Sequence, residues 1–401
     1  MNGIVIIGAG ESGTRAAFAL REAGYSRPVT LVGAEPHLPY ERPPLSKAVD
    51  GAVQMKLICA ADALDAAGIT YLAGLSATRL DADAATVTVS DGRILPYEKL
   101  LLTTGARPRR LACPGAERAL DFRTHGDAKV IFSKIALGRS VVIIGAGLIG
   151  MELAAVLRGR NVGVSVIEAA PKPLGRAVPA RFAEKLHTRH AAEGVRFHLD
   201  RAVAAIGDDG VTLTDGSLVP ADLIVSAIGV LPDIALAEAA GLATGNGILT
   251  DAYLRTSAPN IFAAGDCAAV AEPGGGHVRY ESWRSARTQA ETAARNMAGA
   301  AETFAAIPWF WSDQYDLGLQ VAGQPLPAHQ SVRRSAAEGE LEFYLDDGRL
   351  VAAAGLGIGN GLAKHIKLAE MLIAACISPE PAALADPGVN LKTLLKSARA
   401  A

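Results

Sequence analysis

The chain carries one glycine pattern twice, and it is a pattern that binds the pyrophosphate of a dinucleotide. The six glycines with this spacing are Gly8, Gly10, Gly13, Gly145, Gly147 and Gly150. In such a turn the first glycine permits a sharp bend, the second lets backbone N–H groups approach a phosphate, and the third lets a helix pack closely on the preceding strand. The N-terminus of that helix adds partial positive charge. Two such turns are typical of proteins that move electrons between two dinucleotides.

A carboxylate follows each glycine turn, at the end of the next apolar run. Glu35 ends the run that begins at Val29, and Glu168 ends the run that begins at Val162. A carboxylate at the tip of such a strand can accept both hydroxyls of an adenosine ribose. A tight loop with chance glycines is the alternative, but strand, helix and acid stand in register at both places. We therefore interpret both turns as dinucleotide sites.

The segments around the two turns predict a doubly wound α/β fold. Apolar runs at residues 4–7 and 141–144 precede the turns, and alanine-rich helical stretches follow them. Each turn is later followed by an alternating segment, at residues 86–89 and 211–214, that is typical of one arm of a hairpin. The chain therefore predicts an internal duplication, with two doubly wound dinucleotide-binding domains.

The pattern changes from Pro308 onward. Trp309, Trp311 and the run 338–344 indicate an antiparallel sheet, and residues 362–377 have the spacing of an amphipathic helix. We therefore predict a C-terminal α+β domain at residues 308–401. The first dinucleotide domain is predicted to be discontinuous, formed by residues 1–107 and 233–307, and the second to span residues 108–232.

The composition favours a cytoplasmic protein without metal chemistry of its own. The chain has 401 residues, of which 50% are hydrophobic, enough for two or three domains. Its four cysteines have no C-x-x-C spacing, which fits a reducing compartment and predicts no metal or cluster ligated by this chain. The N-terminus has no basic signal-peptide region, and the most apolar stretch contains Glu152, so we expect no membrane span.

Charge is distributed unevenly along the chain. The formal net charge of −2 gives no reason to expect nucleic-acid binding. Between Arg107 and Arg201, however, there are 17 Lys or Arg against 8 Asp or Glu, an excess of nine, so the rest of the chain sums to −11. Two interpretations stay open. These cations lie on solvated helix faces or neutralise cofactor phosphates, or they form a docking face for an acidic protein partner.

Three further motifs carry a resemblance that covers essentially the full length. They are Tyr-Glu-Arg-Pro-Pro-Leu-Ser-Lys at residues 40–47, Asn-Ile-Phe-Ala-Ala-Gly-Asp at 260–266 and Pro-Trp-Phe-Trp-Ser-Asp-Gln at 308–314. With both glycine turns, the chain resembles the FAD-dependent NADH:ferredoxin reductases that serve oxygenases, of the putidaredoxin reductase and aromatic-ring dioxygenase type. The resemblance implies the two-dinucleotide fold of disulfide reductases with an added C-terminal α+β domain.

In that family the first turn binds FAD, and several residues of this chain match its contacts. The resemblance assigns the adenosine and pyrophosphate to the first turn and Glu35, and a ribityl hydroxyl to Asp266. It places two tryptophans beside the isoalloxazine ring, while Trp309 is as well explained by core packing. The residues that match FAD contacts are Gly8, Gly10, Gly13, Glu35, Arg42, Lys47, Arg123, Asp266, Trp283 and Trp311.

The second turn would bind NADH. A carboxylate at Glu168 accepts a free 2′-hydroxyl and repels a 2′-phosphate, which favours NADH over NADPH, although nearby Lys172 leaves the strictness open. The residues assigned to NADH are Gly145, Gly147, Gly150, Glu152, Glu168, Arg176 and Gly229.

Lys47 and Glu152 are the candidate catalytic residues. A cation near a flavin favours its reduced, anionic form, and this is the role that we expect for Lys47. Glu152 lies in the first turn of the second helix, where it can pair with Lys47 and accept the nicotinamide carboxamide. Alternatively, Lys47 is a surface lysine and Glu152 a helix acid that complements the helix dipole.

The absence of thiols in the 40–47 loop argues against dithiol chemistry, because disulfide reductases carry their redox cysteines there. His365 and Glu370 have the spacing of the His–Glu pair of those enzymes, but without thiols we interpret this as coincidence. The resemblance instead implies a ferredoxin partner, which we expect to be acidic and of the [2Fe-2S] type. A rubredoxin or a nitrite reductase as acceptor is an alternative, as is an NADH-sensing flavoprotein with a binding role.

We expect a monomer or weak dimer.

The glycine-rich loop at residues 356–363 departs from the family pattern, which usually has a charged pair there. If this loop contacts the ferredoxin, we expect an unusual ferredoxin as the partner.

Overall fold

A computed structural model describes residues 2–47, 53–135, 138–175 and 178–400, the last five of them as backbone only. The chain forms two compact units. The first consists of Met1–Arg42, Met55–Arg107 and Val230–Ala306, and the second of Pro43–Gln54, Pro108–Gly229 and Ile307–Ala401.

The helices of the described residues are distributed along the whole chain. They are α1 (Glu11–Glu22), α2 (Ala63–Ala66), α3 (His125–Lys134), α4 (Leu148–Gly159), α5 (Ala180–Ala192), α6 (Ala235–Ala239), α7 (Trp283–Met297), α8 (Ala363–Ala374), α9 (Pro381–Ala385) and α10 (Leu391–Ala400). Short 3-10 helices occur at Pro43–Lys47 and Ala116–Arg118.

The strands fall into three groups along the chain. The first group is β1 (Gly3–Ile7), β2 (Val29–Gly33), β3 (Ile69–Ala73), β4 (Ala77–Asp81), β5 (Thr86–Val89), β6 (Ile94–Leu102) and β7 (Ala106–Pro108). The second is β8 (Leu120–Asp121), β9 (Ser140–Ile144), β10 (Gly163–Glu168), β11 (Arg196–Leu199), β12 (Val203–Ile206), β13 (Gly210–Leu213), β14 (Leu218–Pro220) and β15 (Leu223–Ser226). The third is β16 (Val230–Pro232), β17 (Thr244–Gly245), β18 (Gly247–Thr250), β19 (Ile261–Ala263), β20 (Ala268–Ala271), β21 (His277–Val278), β22 (Trp309–Gln314), β23 (Leu317–Gly323), β24 (Gln330–Ala336), β25 (Gly339–Asp346) and β26 (Arg349–Ile358).

The main sheet of the first unit has a parallel core in the order β3-β2-β1-β6-β19. Its central strand β1 is a continuous apolar run that is buried along its whole length, and Ile4 and Ile6 are fully buried. Strand β6 changes partner along its length: Pro96 pairs antiparallel with β5, whereas Leu100 pairs parallel with β19. Strand β1 therefore delivers the first glycine turn to the carboxyl edge of a doubly wound sheet, where such folds bind ligands.

Helices α1 and α7 pack against each other in the first unit through small side chains. Ala16, Ala290 and Ala293 are fully buried in their shared core. The close approach lets the Ser12 hydroxyl donate a hydrogen bond of 2.8 Å to the carbonyl of Ala286. This contact fixes the start of α1, and with it the first glycine turn.

The second unit repeats the strand order of the first. Its parallel sheet has the order β11-β10-β9-β15-β8, and an antiparallel sheet β12-β13-β14 corresponds to the β4-β5-β6 hairpins. The repeated order confirms the internal duplication and the doubly wound fold class that the sequence predicts.

The second unit also contains an antiparallel sheet in the order β22-β23-β26-β25-β24, covered by α8. Leu341, Phe343, Ile366 and Leu372 are fully buried between them. This confirms the α+β character predicted beyond residue 308. Helix α8 is shorter than the predicted 362–377 because Cys376 has a φ of +51°, which a right-handed helix does not allow.

The three-domain division remains a prediction. The two compact units do not test it, although residues 43–54, predicted in the first domain, belong to the second unit. Among the described residues, no helix is long and apolar enough to cross a membrane.

Candidate active site

The first glycine of each turn has a positive φ, and the third has no room for a side chain. Gly8 and Gly145 have φ angles of +108° and +105°. A Cβ at Gly13 would lie 1.8 Å from the carbonyl oxygen of Gly8, and one at Gly150 would lie 2.1 Å from that of Gly145. The two turns therefore share one backbone geometry, in which the helix start presses against the turn.

The second glycine of each turn faces open space instead. Among the described atoms, nothing lies within 4 Å of a Cβ built at Gly10 or Gly147. These glycines precede α1 and α4, and neither described helix start has a side-chain cap. The first backbone N–H groups of both helices are thus available to an anion, and a pyrophosphate fits this environment.

In the first unit, Glu35 is brought together with Arg42. Its Oε1 accepts a hydrogen bond from Arg42 at 2.9 Å, and its Oε2 accepts one from the Tyr40 hydroxyl at 2.6 Å. The carboxylate is therefore held in one orientation at the end of β2. Tyr40 was not predicted as a partner of Glu35, although it lies only two residues before Arg42.

Asp266 and Trp283 flank the start of α1 from two other segments of the first unit. The preceding Gly265 has a φ of +82°, and a Cβ there would lie 2.4 Å from the Ser12 hydroxyl oxygen. The N–H of Gly265 donates to the Gln289 side chain at 2.8 Å. Asp266 thus follows a turn that is locked against the first glycine turn.

Glu11, in the first glycine turn, was not singled out by the sequence. Burial raises the pKa of its carboxyl, while the Arg287 charge and a hydrogen bond from Trp283 act in the opposite direction. The Arg287 guanidinium lies 5.8 Å from the centre of the Trp283 ring. The signal was present in the sequence, because an acid inside a phosphate-binding turn is unexpected.

In the second unit, Glu168 is fixed beside the second glycine turn. Its Oε2 accepts a hydrogen bond from the N–H of Ala146 at 2.8 Å, and its Oε1 accepts one from Ala170 at 2.9 Å. Ala146 is a residue of the turn itself, so the acid and the turn form one structure. This geometry fits a carboxylate that faces the ribose of a dinucleotide on that turn.

The structure brings Lys47 and Glu152 together. The Lys47 Nζ lies 2.9 Å from the Glu152 Oε1, and it lies equally 2.9 Å from the Asp313 Oδ2. The same Asp313 oxygen accepts a hydrogen bond of 3.1 Å from the Trp311 indole, whose ring is 5.7 Å from the lysine nitrogen. Lys47 is therefore an ammonium between two carboxylates, and Asp313 is a partner that the sequence analysis missed.

Glu152 is buried, with 6% of its surface exposed. Besides Lys47, it accepts hydrogen bonds from the Ser46 hydroxyl at 2.5 Å and the Ser312 hydroxyl at 2.7 Å. Three donors on one carboxylate hold it in one orientation. Both serines lie within motifs that carry the family resemblance, at residues 40–47 and 308–314, but the sequence does not show that they contact Glu152.

Three other predicted residues lie in the second unit or outside the described residues. The N–H of Arg123 donates to Asp127, which forms a capping box with Thr124 at the start of α3. Gly229 has a φ of +99°, so it needs to be glycine for its turn. Arg176 lies outside the described residues.

Two Rossmann-type sheets, each with an open glycine turn and a fixed acid, define a flavoprotein of the two-dinucleotide class. The chain belongs to the pyridine nucleotide-disulphide oxidoreductase family, whose model matches residues 2–290, and a reductase C-terminal model matches residues 309–395. Membership in this family makes FAD and NADH the cofactors of the chain, as predicted, and the fold class is confirmed.

Relatives of known function are similar over nearly the whole chain. The chain is 41% identical to the anthranilate 1,2-dioxygenase system ferredoxin–NAD(+) reductase component of Burkholderia cepacia, with 98% of each chain covered. It is 37% identical to the corresponding component of the p-cumate 2,3-dioxygenase system of Pseudomonas putida, with 97% of each covered. The resemblance to oxygenase-coupled ferredoxin reductases is therefore confirmed.

A solved structure gives the same result. The covalent putidaredoxin reductase–putidaredoxin complex matches with a TM-score of 0.92 and 32% identity, covering 100% of this chain and 99% of that one. The ferredoxin reductase for the CYP199A2 system from Rhodopseudomonas palustris also matches with a TM-score of 0.92, at 33% identity and coverage of 98% and 99%.

The chain departs from the disulphide chemistry in its family's name. All four cysteines, Cys59, Cys113, Cys267 and Cys376, are free thiols. The 3-10 helix Pro43–Lys47 places a serine and a lysine beside Glu152, where dithiol enzymes are expected to carry cysteines. Glu370 pairs with Lys367 at 3.2 Å, which agrees with the interpretation that its spacing from His365 is coincidental.

Proposed function

We propose that the protein takes electrons from NADH through FAD and delivers them singly to a small iron–sulfur ferredoxin that supplies an oxygenase. The observation that carries the proposal is the Lys47–Glu152 ion pair, which stands where a thiol-dependent enzyme would need cysteines. The relatives named above support the acceptor, since their names describe ferredoxin reductases of dioxygenase systems.

When bound, FAD accepts a hydride from NADH and can release the two electrons one at a time, which suits a one-electron acceptor. The chain's own residues position and polarise. The open turns at Gly10 and Gly147 bind the two pyrophosphates, and Glu168 prefers a free ribose hydroxyl to a phosphate. Glu152, held by three donors, accepts a hydrogen bond from the nicotinamide carboxamide.

Lys47 supplies positive charge toward the flavin, and Asp313 moderates that charge. The remaining predicted contacts with FAD are Glu35, Arg42, Arg123, Asp266, Trp283 and Trp311, and these roles are part of the proposal. No residue of the chain needs to act as a general acid or base. Catalysis comes from positioning and electrostatics.

We further propose that the ferredoxin is of the [2Fe-2S] type, which the resemblance to the family implies. It is also proposed to be acidic, because the region between Arg107 and Arg201 has an excess of nine positive charges. Monomer or weak dimer is the proposed oligomeric state, and the cytoplasm the proposed location.

The test combines the purified protein, NADH, cytochrome c and either a [2Fe-2S] ferredoxin or a rubredoxin. We expect cytochrome c reduction that depends on the [2Fe-2S] ferredoxin, and a higher kcat/KM for NADH than for NADPH. Failure of several [2Fe-2S] ferredoxins to support reduction, while flavin reduction by NADH proceeds, would contradict the proposed acceptor. Faster reduction through the rubredoxin would favour the alternative.

A further inference from the structure

A row of buried polar side chains extends from Glu152 within the second unit, beyond the residues proposed to contact the cofactors. Ser312 and Gln314 on strand β22 and His190 on helix α5 are all fully buried, with 0% of their surface exposed. Buried polar groups are costly unless they are hydrogen-bonded. These three are bonded to one another, so they form one connected network that ends on Glu152.

The contacts of this network are short. Ser312 lies 2.7 Å from the Glu152 Oε1, and the Gln314 amide nitrogen lies 3.1 Å from the Ser312 hydroxyl oxygen. The His190 Nε2 lies 2.9 Å from the Gln314 amide oxygen. At the far end, the Tyr315 hydroxyl lies 3.1 Å from the His190 Nδ1.

Elementary hydrogen-bond chemistry fixes the direction of every link. The Glu152 carboxylate accepts from Ser312, which thereby uses its one proton and must accept from Gln314. The Gln314 amide oxygen then faces His190, which must donate from Nε2. A neutral imidazole has one donor and one acceptor, so Nδ1 accepts from Tyr315. The four donors, Tyr315, His190, Gln314 and Ser312, therefore each donate to the next group in the direction of the Glu152 carboxylate.

The neutral histidine that this direction requires is the form that burial favours. Burial lowers the pKa of His190 to about 4, with smaller contributions in the same direction from the charges of His187 and Arg189. The Gln314 hydrogen bond and the charge of Glu193 act in the opposite direction. The network is not a route for protons, because the Gln314 amide cannot pass one on.

Tyr315 has a backbone conformation that its side chain makes unfavourable. Gln314 and Leu317 pair across a two-residue hairpin turn, and Tyr315 has a φ of +57° at its first position. Glycine is the usual residue there, and a bulky residue with positive φ is an outlier. A tyrosine in this place is explained by what its side chain contacts, namely His190 and the Arg189 guanidinium, 4.9 Å from the ring centre.

We propose that Ser312, Gln314 and His190 are positioning residues that hold the Glu152 carboxylate in one orientation for the nicotinamide. The proposal rests on the proposed function, because it takes Glu152 as the residue that contacts NADH. Its specific content is that a change at Gln314, which does not touch Glu152, alters NADH binding through the Ser312 proton.

Two substitutions test the hydrogen-bond network without a large change in side-chain volume. Ser312→Ala removes one donor to Glu152. Gln314→Glu offers Ser312 a second carboxylate, so that its proton leaves Glu152. A hydrogen bond to a charged group contributes enough that we expect each variant to raise the KM for NADH about 5- to 20-fold, with a smaller change in kcat, when ferricyanide is the acceptor.

Matched controls separate this effect from general damage. Ser331→Ala and Gln330→Glu make the same chemical changes at exposed positions of β24 and should leave the KM within about twofold of the wild type. Thermal unfolding of all four variants reports whether folding is intact. Folded Ser312→Ala and Gln314→Glu variants with a wild-type KM would overturn the proposal.

15N NMR of 15N-histidine-labelled protein tests the donor–acceptor direction of the hydrogen-bond network independently of activity. We expect His190, assigned with a His190→Asn variant, to be neutral and protonated on Nε2 at pH 6, and to gain a second proton in Gln314→Glu. Protonation on Nδ1 in the wild type would overturn the inference. If NADH does not reduce the flavin of the wild-type protein, the proposed function is overturned instead. The NMR result would still test the direction of the hydrogen-bond network.

Discussion

At the scale of single residues, the unexpected finding is that Lys47 has two acidic partners. Its ammonium is shared between Glu152 and Asp313 at 2.9 Å each. The isolated cation that the sequence suggests would only favour a reduced flavin. The cluster of one ammonium and two carboxylates instead has a formal net charge of −1. The balance among the three charges, rather than the lysine alone, sets the field in this part of the site.

We expect the flavin midpoint potential to shift in opposite directions when the charge of Lys47 or that of Asp313 is removed. Lys47→Met deletes the cation and should make the potential more negative, whereas Asp313→Asn deletes an anion and should make it more positive. Spectroelectrochemical titration measures both. Lys367→Met, which removes a surface lysine that is 61% exposed, is the control. Shifts of the same sign in both variants would contradict the predicted role of Lys47.

A second residue-scale prediction concerns pH and folding. His190 has a folded pKa of about 4, below its ordinary 6.5. The unfolded chain therefore binds a proton that the folded chain excludes, so this stabilisation is complete above pH 6.5 and is lost as pH falls toward 4. The loss should reach about 2 kcal/mol at pH 5.

Urea unfolding of the wild type and His190→Asn at pH 7 and pH 5 measures this loss. The variant should be less stable at pH 7 but should lose less stability on acidification than the wild type. An equal loss in both proteins would show that His190 titrates normally in the folded state.

At the scale of elements, each glycine turn separates folding from binding. The first and third glycines are demanded by the backbone itself, as the φ of +108° at Gly8 shows. The second, Gly10 or Gly147, meets no described atom within 4 Å of an added Cβ. A methyl group there disturbs only what binds to the turn.

We therefore expect Gly10→Ala and Gly147→Ala to fold with little loss of stability but to lose one cofactor each. Gly10→Ala should be purified with little FAD, and Gly147→Ala should retain FAD but bind NADH about 10-fold or more weakly, because the methyl displaces a phosphate from the backbone N–H groups. Flavin absorbance and NADH titration measure the two effects. Gly207→Ala, also in open space, is the control. FAD retention by Gly10→Ala would contradict the assignment.

The same elements show what a sequence can and cannot predict. Both glycine turns, their acids and the duplicated doubly wound fold could be predicted from local patterns, because the turns need glycine for local backbone reasons. Asp313, Ser312 and His190 do not, since Glu152 and Ser312 are 160 residues apart in the chain and meet only after folding. Lys47 and Glu152 were paired in advance only through the resemblance to a known family.

At the scale of the whole molecule, charge is separated along the chain. An excess of nine positive charges lies between Arg107 and Arg201, although the net charge of the protein is −2. Such asymmetry attracts an acidic partner over distances of about 8–10 Å at moderate salt.

We expect kcat/KM for an acidic [2Fe-2S] ferredoxin to fall by about 10-fold or more between 50 and 500 mM NaCl, because salt screens steering. Flavin reduction by NADH, followed by stopped flow in the absence of ferredoxin, is the control and should change much less. A ferredoxin reaction that is insensitive to salt would remove the basic region as a docking face.

Strand β22 has a consequence for how this protein can be recombined with its relatives. Side chains alternate along a strand, so Ser312 and Gln314 face the buried network while Trp311 and Asp313 face Lys47. Four consecutive residues thus serve two neighbourhoods built from α4, α5 and the Pro43–Lys47 helix. A chimera whose C-terminal part comes from a relative with other residues at these four positions would alter both sets of contacts at once. The C-terminal sheet and the second glycine turn belong to one compact unit, so they should be exchanged together.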